Sequence, residues 1–192
     1  VLFGCVELSG VSSTDICSVA LTYGYKNKRE CIPGSVLKKD VFSKVGNFKE
    51  YRSGYDPYWR NQIKKKKLNY NSPKKAIVFY MGVNYASNYR NLFLKTLNYT
   101  LASEQVFRNF KNYILLLLYA SLLSFLYFST KFAALLFFSY LLTRAYIAPN
   151  IKSKVFYKVI FKKNIFLHLP ISALIIDFAK IVGTLMSLIY VK

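Results

Sequence analysis

Asp56 is the acid in this sequence whose neighbours best suit chemistry. It sits in Gly54-Tyr55-Asp56-Pro57-Tyr58-Trp59, where a backbone hinge, a carboxylate and an aromatic cluster fall together. Asp followed by Pro reads as a helix start, with Asp56 as N-cap and Pro57 at the first helical position. Helix N-termini stabilise negative charge, which suits a group that accepts a proton. The same features suit a plain structural cap, and the residue types leave both roles open. The other acids nearby, Asp40 and Glu50, are isolated, and no Asp-x-Asp, Gly-x-x-x-x-Gly-Lys or His-Glu-x-x-His string occurs. Cys5, Cys17 and Cys31 are odd in number and lie at no metal-ligand spacing, so they read as reduced thiols. His168, the single histidine, falls in an apolar stretch and reads as a packed or interfacial side chain. Lys64 to Lys67 could touch nucleic acid, but arginine-rich grooves and base-stacking platforms are absent around them. Attraction to anionic lipid explains the run more simply, and no nucleic-acid partner is expected.

The elements that must position Asp56 lie in residues 1–111. Val1 to Leu8 and Ala76 to Met81 have the short apolar, β-branched and aromatic character of buried strands. Glu30 to Leu37 reads as a strand interrupted by the turn-forming string Ile32-Pro33-Gly34-Ser35. Lys38 to Lys44 is a short helix with Val41, Phe42 and Val45 inward, closed by Gly46 as a left-handed cap. The helix opened by Asp56 carries Tyr58, Trp59 and Ile63 before the lysine run. Ala86 to Phe110 reads as a basic, aromatic helix with Tyr89, Phe93, Leu97 and Leu101 at a spacing of four. Two placements fit it, the headgroup layer of a membrane or the surface of the soluble domain.

Composition sets the wider class. The 192 residues carry 28 Lys+Arg against 8 Asp+Glu, a net charge of +20, yet 54% are hydrophobic and 18% aromatic. That combination excludes a disordered basic tail, and it argues against a neutral enzyme free in the cytosol. Asn112 to Thr130 contains nineteen residues without a charge, which reach roughly 28 Å at a helical rise of about 1.5 Å. A second span is expected over about 132–148, with Arg144 snorkelling near its end. The third apolar stretch, about 164–191, is broken by Pro170 and carries Asp177 and Lys180 one turn apart as an expected ion pair. It fits either a full span or a kinked interfacial segment. Residues 57–111 carry eleven basic residues and one acid, and residues 149–163 carry five and none. Lys and Arg are retained on the cytoplasmic side, so the expected topology has residues 1–111 inside, a hairpin out and back, and the third segment leading outward. The expected location is the cell membrane, multi-pass, with the Asp56 region cytoplasmic.

From Cys31 through Pro33-Gly34-Ser35, Lys38-Lys39-Asp40-Val41-Phe42, Val45-Gly46-Asn47-Phe48 and Gly54-Tyr55-Asp56-Pro57-Tyr58-Trp59 to Tyr70, the sequence resembles the second half of the catalytic domain of family 2 glycosyltransferases. The downstream part, with Pro170, Ile176-Asp177 and Gly183, is similar to the C-terminal membrane segment of bacterial and archaeal members. The fold implied is α/β: a partial GT-A-like domain lacking its nucleotide-binding half, over 1–85, then an amphipathic helix over 86–111 and a membrane region over 112–192 with two or three transmembrane helices. The resemblance makes Asp56 the general base toward the acceptor hydroxyl. Pro33, Gly34, Ser35, Tyr55, Tyr58 and Trp59 become substrate-binding residues, with Gly34 and Ser35 lining the cleft and Tyr58 and Trp59 stacking on a sugar or packing in the core. It further implies a nucleotide-sugar donor, a lipid-linked or cell-surface glycan acceptor, anionic membrane lipid as a partner, and a divalent metal, Mg or Mn, held mainly by a half that precedes this one. Tyr55 stands where the family has Glu, and Gln62 where an Arg is common. The chain alone is therefore expected to be an inactive fragment of a longer polysaccharide-building enzyme. The competing expectation is a non-catalytic basic membrane protein that binds anionic lipid or a protein partner.

Overall fold

A computed structural model of the chain describes residues 1–48, 55–75, 78–80, 86–106, 108–154 and 156–190. Strand β1 (Leu2–Leu8) lies at the centre of a three-stranded sheet in the order β2-β1-β3. It pairs antiparallel with β2 (Lys28–Val36) and parallel with β3 (Val78–Tyr80). β1 is apolar almost throughout because both of its faces are covered. Phe3 points into one cluster, with Val41, Trp59 and Ile63 from helices α2 (Lys39–Val45) and α3 (Tyr55–Lys65). Val6 and Leu8 enter the opposite cluster with α1 (Ser13–Thr22) and α8 (Ile165–Tyr190). The result is a three-layer unit in which the apolar helix α8 shares the core of the sheet.

Helix α1 falls in a stretch that periodicity left unread. Its start is a capping box: the Ser12 side chain accepts from the Asp15 backbone N–H, and the Asp15 side chain accepts from the Ser12 N–H. The Asp15 carboxylate is fully buried and also accepts from the Ala86 backbone N–H, tying the chain before α4 to the first layer. Helix α2 ends at Gly46 as expected, but with φ +90° and ψ 170°, an extended conformation open to glycine and not the left-handed helical one expected.

Helices α4 (Tyr89–Val106), α5 (Phe110–Phe128), α6 (Thr130–Leu142), α7 (Ala148–Lys152) and α8 complete the fold, with a π turn at Thr143–Ile147 joining α6 to α7. Among the described residues, three stretches are long and apolar enough to cross a membrane: Phe110–Phe128, Thr130–Lys152 and Ile165–Ile189. α8 is one continuous helix through Pro170, not a broken one. It buries Ile165, Leu169 and Ile176 in the core it shares with α1, buries the small residues Ser172, Ala173, Ala179, Thr184 and Ser187 as well, and turns Phe166, Leu167, Phe178, Leu188 and Ile189 outward. Small residues on a buried helix face let a neighbouring helix approach closely. At Gly183 an added Cβ would stand 2.9 Å from the Cβ of Thr100 on α4, so only a missing side chain lets the two helices close.

α4 lies along α8, with Tyr89 beside His168 and Phe93 beside Phe178. Its buried positions are Leu92, Thr100, Ala102, Ser103 and Glu104, whereas the stripe expected from spacing is only half-buried. The two helices come close where Gly183 of α8 meets Thr100 of α4, a place with room for small side chains only. Glu104 accepts from Asn112 Nδ2 at 2.8 Å and fastens the end of α4 to the start of α5.

Candidate functional site

Chain connectivity brings Asp56 to β2 through a bulge. β1 and β2 pair Gly4 with Cys31 and then Leu2 with Val36, so the four residues 32–35 face Phe3 alone, three more than a regular ladder holds, and arch out on the β2 side. The string Ile32 to Ser35 interrupts the pairing as expected, and it does so as a bulge within one continuous strand. Gly4 makes room for the arch, because a Cβ there would lie 1.9 Å from the Pro33 carbonyl oxygen. Gly34 adopts φ +74°, a region that favours glycine. Ser35 repairs the interrupted ladder: its Oγ accepts from the Gly4 N–H at 2.7 Å and donates to the Cys31 carbonyl at 2.9 Å. Pro33 and Gly34 are exposed at the crest.

Asp56 lies inside the first turn of α3, since the helix already includes Tyr55, and this corrects the N-cap expected from Asp-Pro. Its Oδ1 accepts from Arg60 Nε at 2.7 Å, and its Oδ2 from the Ile32 backbone N–H at 3.3 Å. The second contact sets the carboxylate beside the bulge across 24 residues of sequence. Arg60 Nη1 also reaches Glu30 Oε2 at 3.8 Å, and Glu30 is held further by Lys64 at 2.9 Å and by the Ser72 hydroxyl at 2.7 Å. The site is thus a row of alternating charge, Asp56, Arg60, Glu30 and Lys64, on the rim of the sheet. Partial burial pushes the Glu30 carboxyl up. The Ser72 and Lys64 hydrogen bonds and the Lys64 and Arg60 charges outweigh it and hold that carboxyl below its ordinary range. Burial pushes the Cys31 thiol up to about 11, with the neighbouring Asp56 charge adding to it. Cys31 is accordingly no nucleophile at neutral pH. Cys5, Cys17 and Cys31 are all buried and unpaired with one another.

Sequence reasoning missed Arg60 and Glu30. Arg60 carried a legible signal, the four-residue spacing from Asp56 on a helix. Glu30 carried none, because only the strand register delivers it. Tyr58 is half-buried on α3. Trp59 is 1% exposed, donates its indole N–H to the Gly46 carbonyl at 3.0 Å, and packs on Phe42 and Phe48. That removes Trp59 from the sugar-stacking role and makes it the peg between α2 and α3. The Tyr55 side chain and Glu50 lie outside the described residues.

A divalent metal does not fit the residues present. Among the described residues no three of His, Cys, Asp and Glu come together, and both carboxylates of the rim already face cations. In the helical half, the expected Asp177–Lys180 pair is replaced by a tertiary one. Arg144 turns inward instead of snorkelling, and its Nε stands 3.0 Å from Asp177 Oδ2. The Tyr140 hydroxyl donates to the same carboxylate. A guanidinium offers several donors at fixed angles and can serve the carboxylate and the Leu21 carbonyl together, which Lys180 cannot. The chain matches no protein-family model, no curated protein and no solved structure.

Proposed function

We propose that the chain is the acceptor-side part of a membrane-bound glycosyltransferase of the family 2 kind, with Asp56 as general base. The observation that carries this reading is the Ile32 N–H to Asp56 Oδ2 contact, which sets the carboxylate beside an exposed Pro33-Gly34 crest. Oδ1 is committed to Arg60, whereas Oδ2 takes only a long bond and keeps a lone pair for a substrate proton. In the step proposed, the acceptor hydroxyl gives its proton to Oδ2 as its oxygen bonds to the anomeric carbon. The bond from that carbon to the diphosphate breaks, the nucleoside diphosphate leaves with the electron pair, and the configuration inverts. Small residues at the crest allow a sugar to approach the backbone closely.

The donor requires a nucleotide-binding unit in addition to the residues described. Three helices suited to a bilayer support an acceptor that is lipid-linked or part of a cell-surface glycan, met at the cytoplasmic face of the cell membrane. Membranes from cells expressing the full-length gene product, given a pool of labelled nucleotide sugars, are expected to move label into the lipid or glycan fraction. Asp56→Asn is expected to cut that transfer by about a hundredfold or more, with the protein still in the membrane. Unchanged turnover in the variant sinks the assignment.

A further inference from the structure

Five cationic side chains converge on one open groove of about 380 Å³ bounded by the end of α1, the outer strand β2, and the ends of α5 and α7. Lys28, Arg29, Arg60, Lys111 and Lys152 line it, against the single acid Glu30. Glu30 is already held by Lys64 and Ser72, and Arg60 is paired with Asp56 at 2.7 Å, so the charge left to the groove is that of Lys28, Arg29, Lys111 and Lys152. The volume falls in the range of roughly 300–1,000 Å³ usual for small-ligand sites. The walls are also fixed. Arg29 stacks its guanidinium over the Tyr23 ring at 5.1 Å, and Asn27 Nδ2 donates to the Lys152 carbonyl at 2.7 Å.

Two of the five cations mark the ends of stretches suited to cross a membrane. Lys111 is in the first turn of α5, and Lys152 is the last residue of α7. Each is preceded by a large apolar side chain left in the open, Phe110 at 74% and Ile151 at 80% exposure. A cation beside an outward apolar residue, at the end of an apolar helix, is the pairing that suits the boundary between headgroups and hydrocarbon. We propose that this groove seats the phosphomonoester headgroup of a membrane lipid, with its oxygens on Arg29, Lys111 and Lys152 and its chain against Phe110 and Ile151. The four cations Lys28, Arg29, Lys111 and Lys152 favour a doubly charged monoester over a singly charged diester, and Arg29 adds a planar two-donor fork for phosphoryl oxygens. The phosphate contacts proposed, Arg29, Lys111 and Lys152, lie outside the row of Asp56, Arg60 and Glu30, so the site does not depend on the transferase reading.

The test uses the full chain in phosphatidylcholine-containing mixed micelles, titrated with fluorescent phosphatidic acid. Arg29→Gln combined with Lys152→Gln is expected to weaken binding about thirtyfold, near fivefold for each charge removed. Lys38→Gln with Lys65→Gln takes the same charge from exposed positions outside the groove and is expected to change binding by less than about threefold. Equal losses from the two pairs would mean diffuse attraction and overturn the proposal. Phosphatidylglycerol bound as tightly as phosphatidic acid would overturn it too, and so would displacement by millimolar inorganic phosphate, which would assign the groove to a soluble phosphate. Should the groove pair fail to fold, Lys111→Gln alone, at an exposed position, is expected to cost about fivefold. Full affinity in that variant, alongside full affinity in the charge-keeping Arg29→Lys, would remove the groove as the binding site.

Discussion

Two aspartate–arginine pairs, one in each half of the molecule, use the same chemistry for different ends. Asp56 and Arg60 sit four residues apart on one helix, with side chains 25% and 21% exposed. Asp177 and Arg144 come from different helices, with side chains 2% and 15% exposed, and the carboxylate takes bonds from Nε, Nη2 and the Tyr140 hydroxyl. Arg144 also donates to the Leu21 carbonyl at the end of α1, so this second pair couples the apolar helices to the α/β layer. In water-accessible surroundings an ion pair contributes little and its carboxylate remains open to a substrate. In buried surroundings each charge depends on the other, because a lone one has nothing to replace its hydration. The first pair suits chemistry and the second suits assembly.

Removing one partner of each pair tests that contrast most sharply. Asp177→Ala strands Arg144 and is expected to cost about 3–5 kcal/mol in denaturant unfolding followed in detergent, while the double replacement Asp177→Leu with Arg144→Met recovers most of it. A loss below about 1 kcal/mol for Asp177→Ala would put the two pairs in one class. Gly183→Val probes the same half without touching a charge. Its new side chain meets Thr100 and is expected to cost about 1–3 kcal/mol by the same measurement, and a neutral result would show that α4 and α8 are not closely packed. Asp56→Asn, whose predicted effect on transfer is large, is expected to change stability by no more than about 1 kcal/mol. The smallest effect lies in pH. The folded Glu30 carboxyl is held below its ordinary value of 4.5, so its contribution is present above that value and is lost as the pH falls through the depressed one. Wild type is expected to lose stability between about pH 6 and about pH 3 more steeply than Glu30→Gln. Parallel curves would exclude a role for the Glu30 pairings in folding.

Local patterns were legible wherever one stretch of chain contained its own explanation. Val41, Phe42 and Val45 on one side of a short helix with Gly46 behind it, and the central apolar run of β1, follow from periodicity and capping alone. The apolar stretches around 112–130 and 132–148 were readable for the same reason, and their helices begin within two residues of where the composition changes. The start of α1 was also written locally, in Ser12 and Asp15, but its modest apolar periodicity hid it. Less legible was every feature whose cause lies across the fold. The stripe of Tyr89, Phe93, Leu97 and Leu101 left two placements open in the sequence, and the structure shows α4 lying along α8 with that stripe half-buried. Trp59 could be read as a sugar platform until Gly46 and Phe48 were seen to enclose it.

By itself the sequence determined the excess of positive charge, the three apolar stretches, the short helices and the position of Asp56 at the opening of one of them. These depend on nearest neighbours along the chain, and helical spacing or run length is enough to express them. Tertiary structure alone decided that Arg144 and not Lys180 answers Asp177, that residues 32–35 arch beside Asp56, and that five cations from four separate segments line one groove. Those choices turn on strand register and on which helices meet. Both are set by burial of side chains far apart in sequence, and a local pattern carries no record of them.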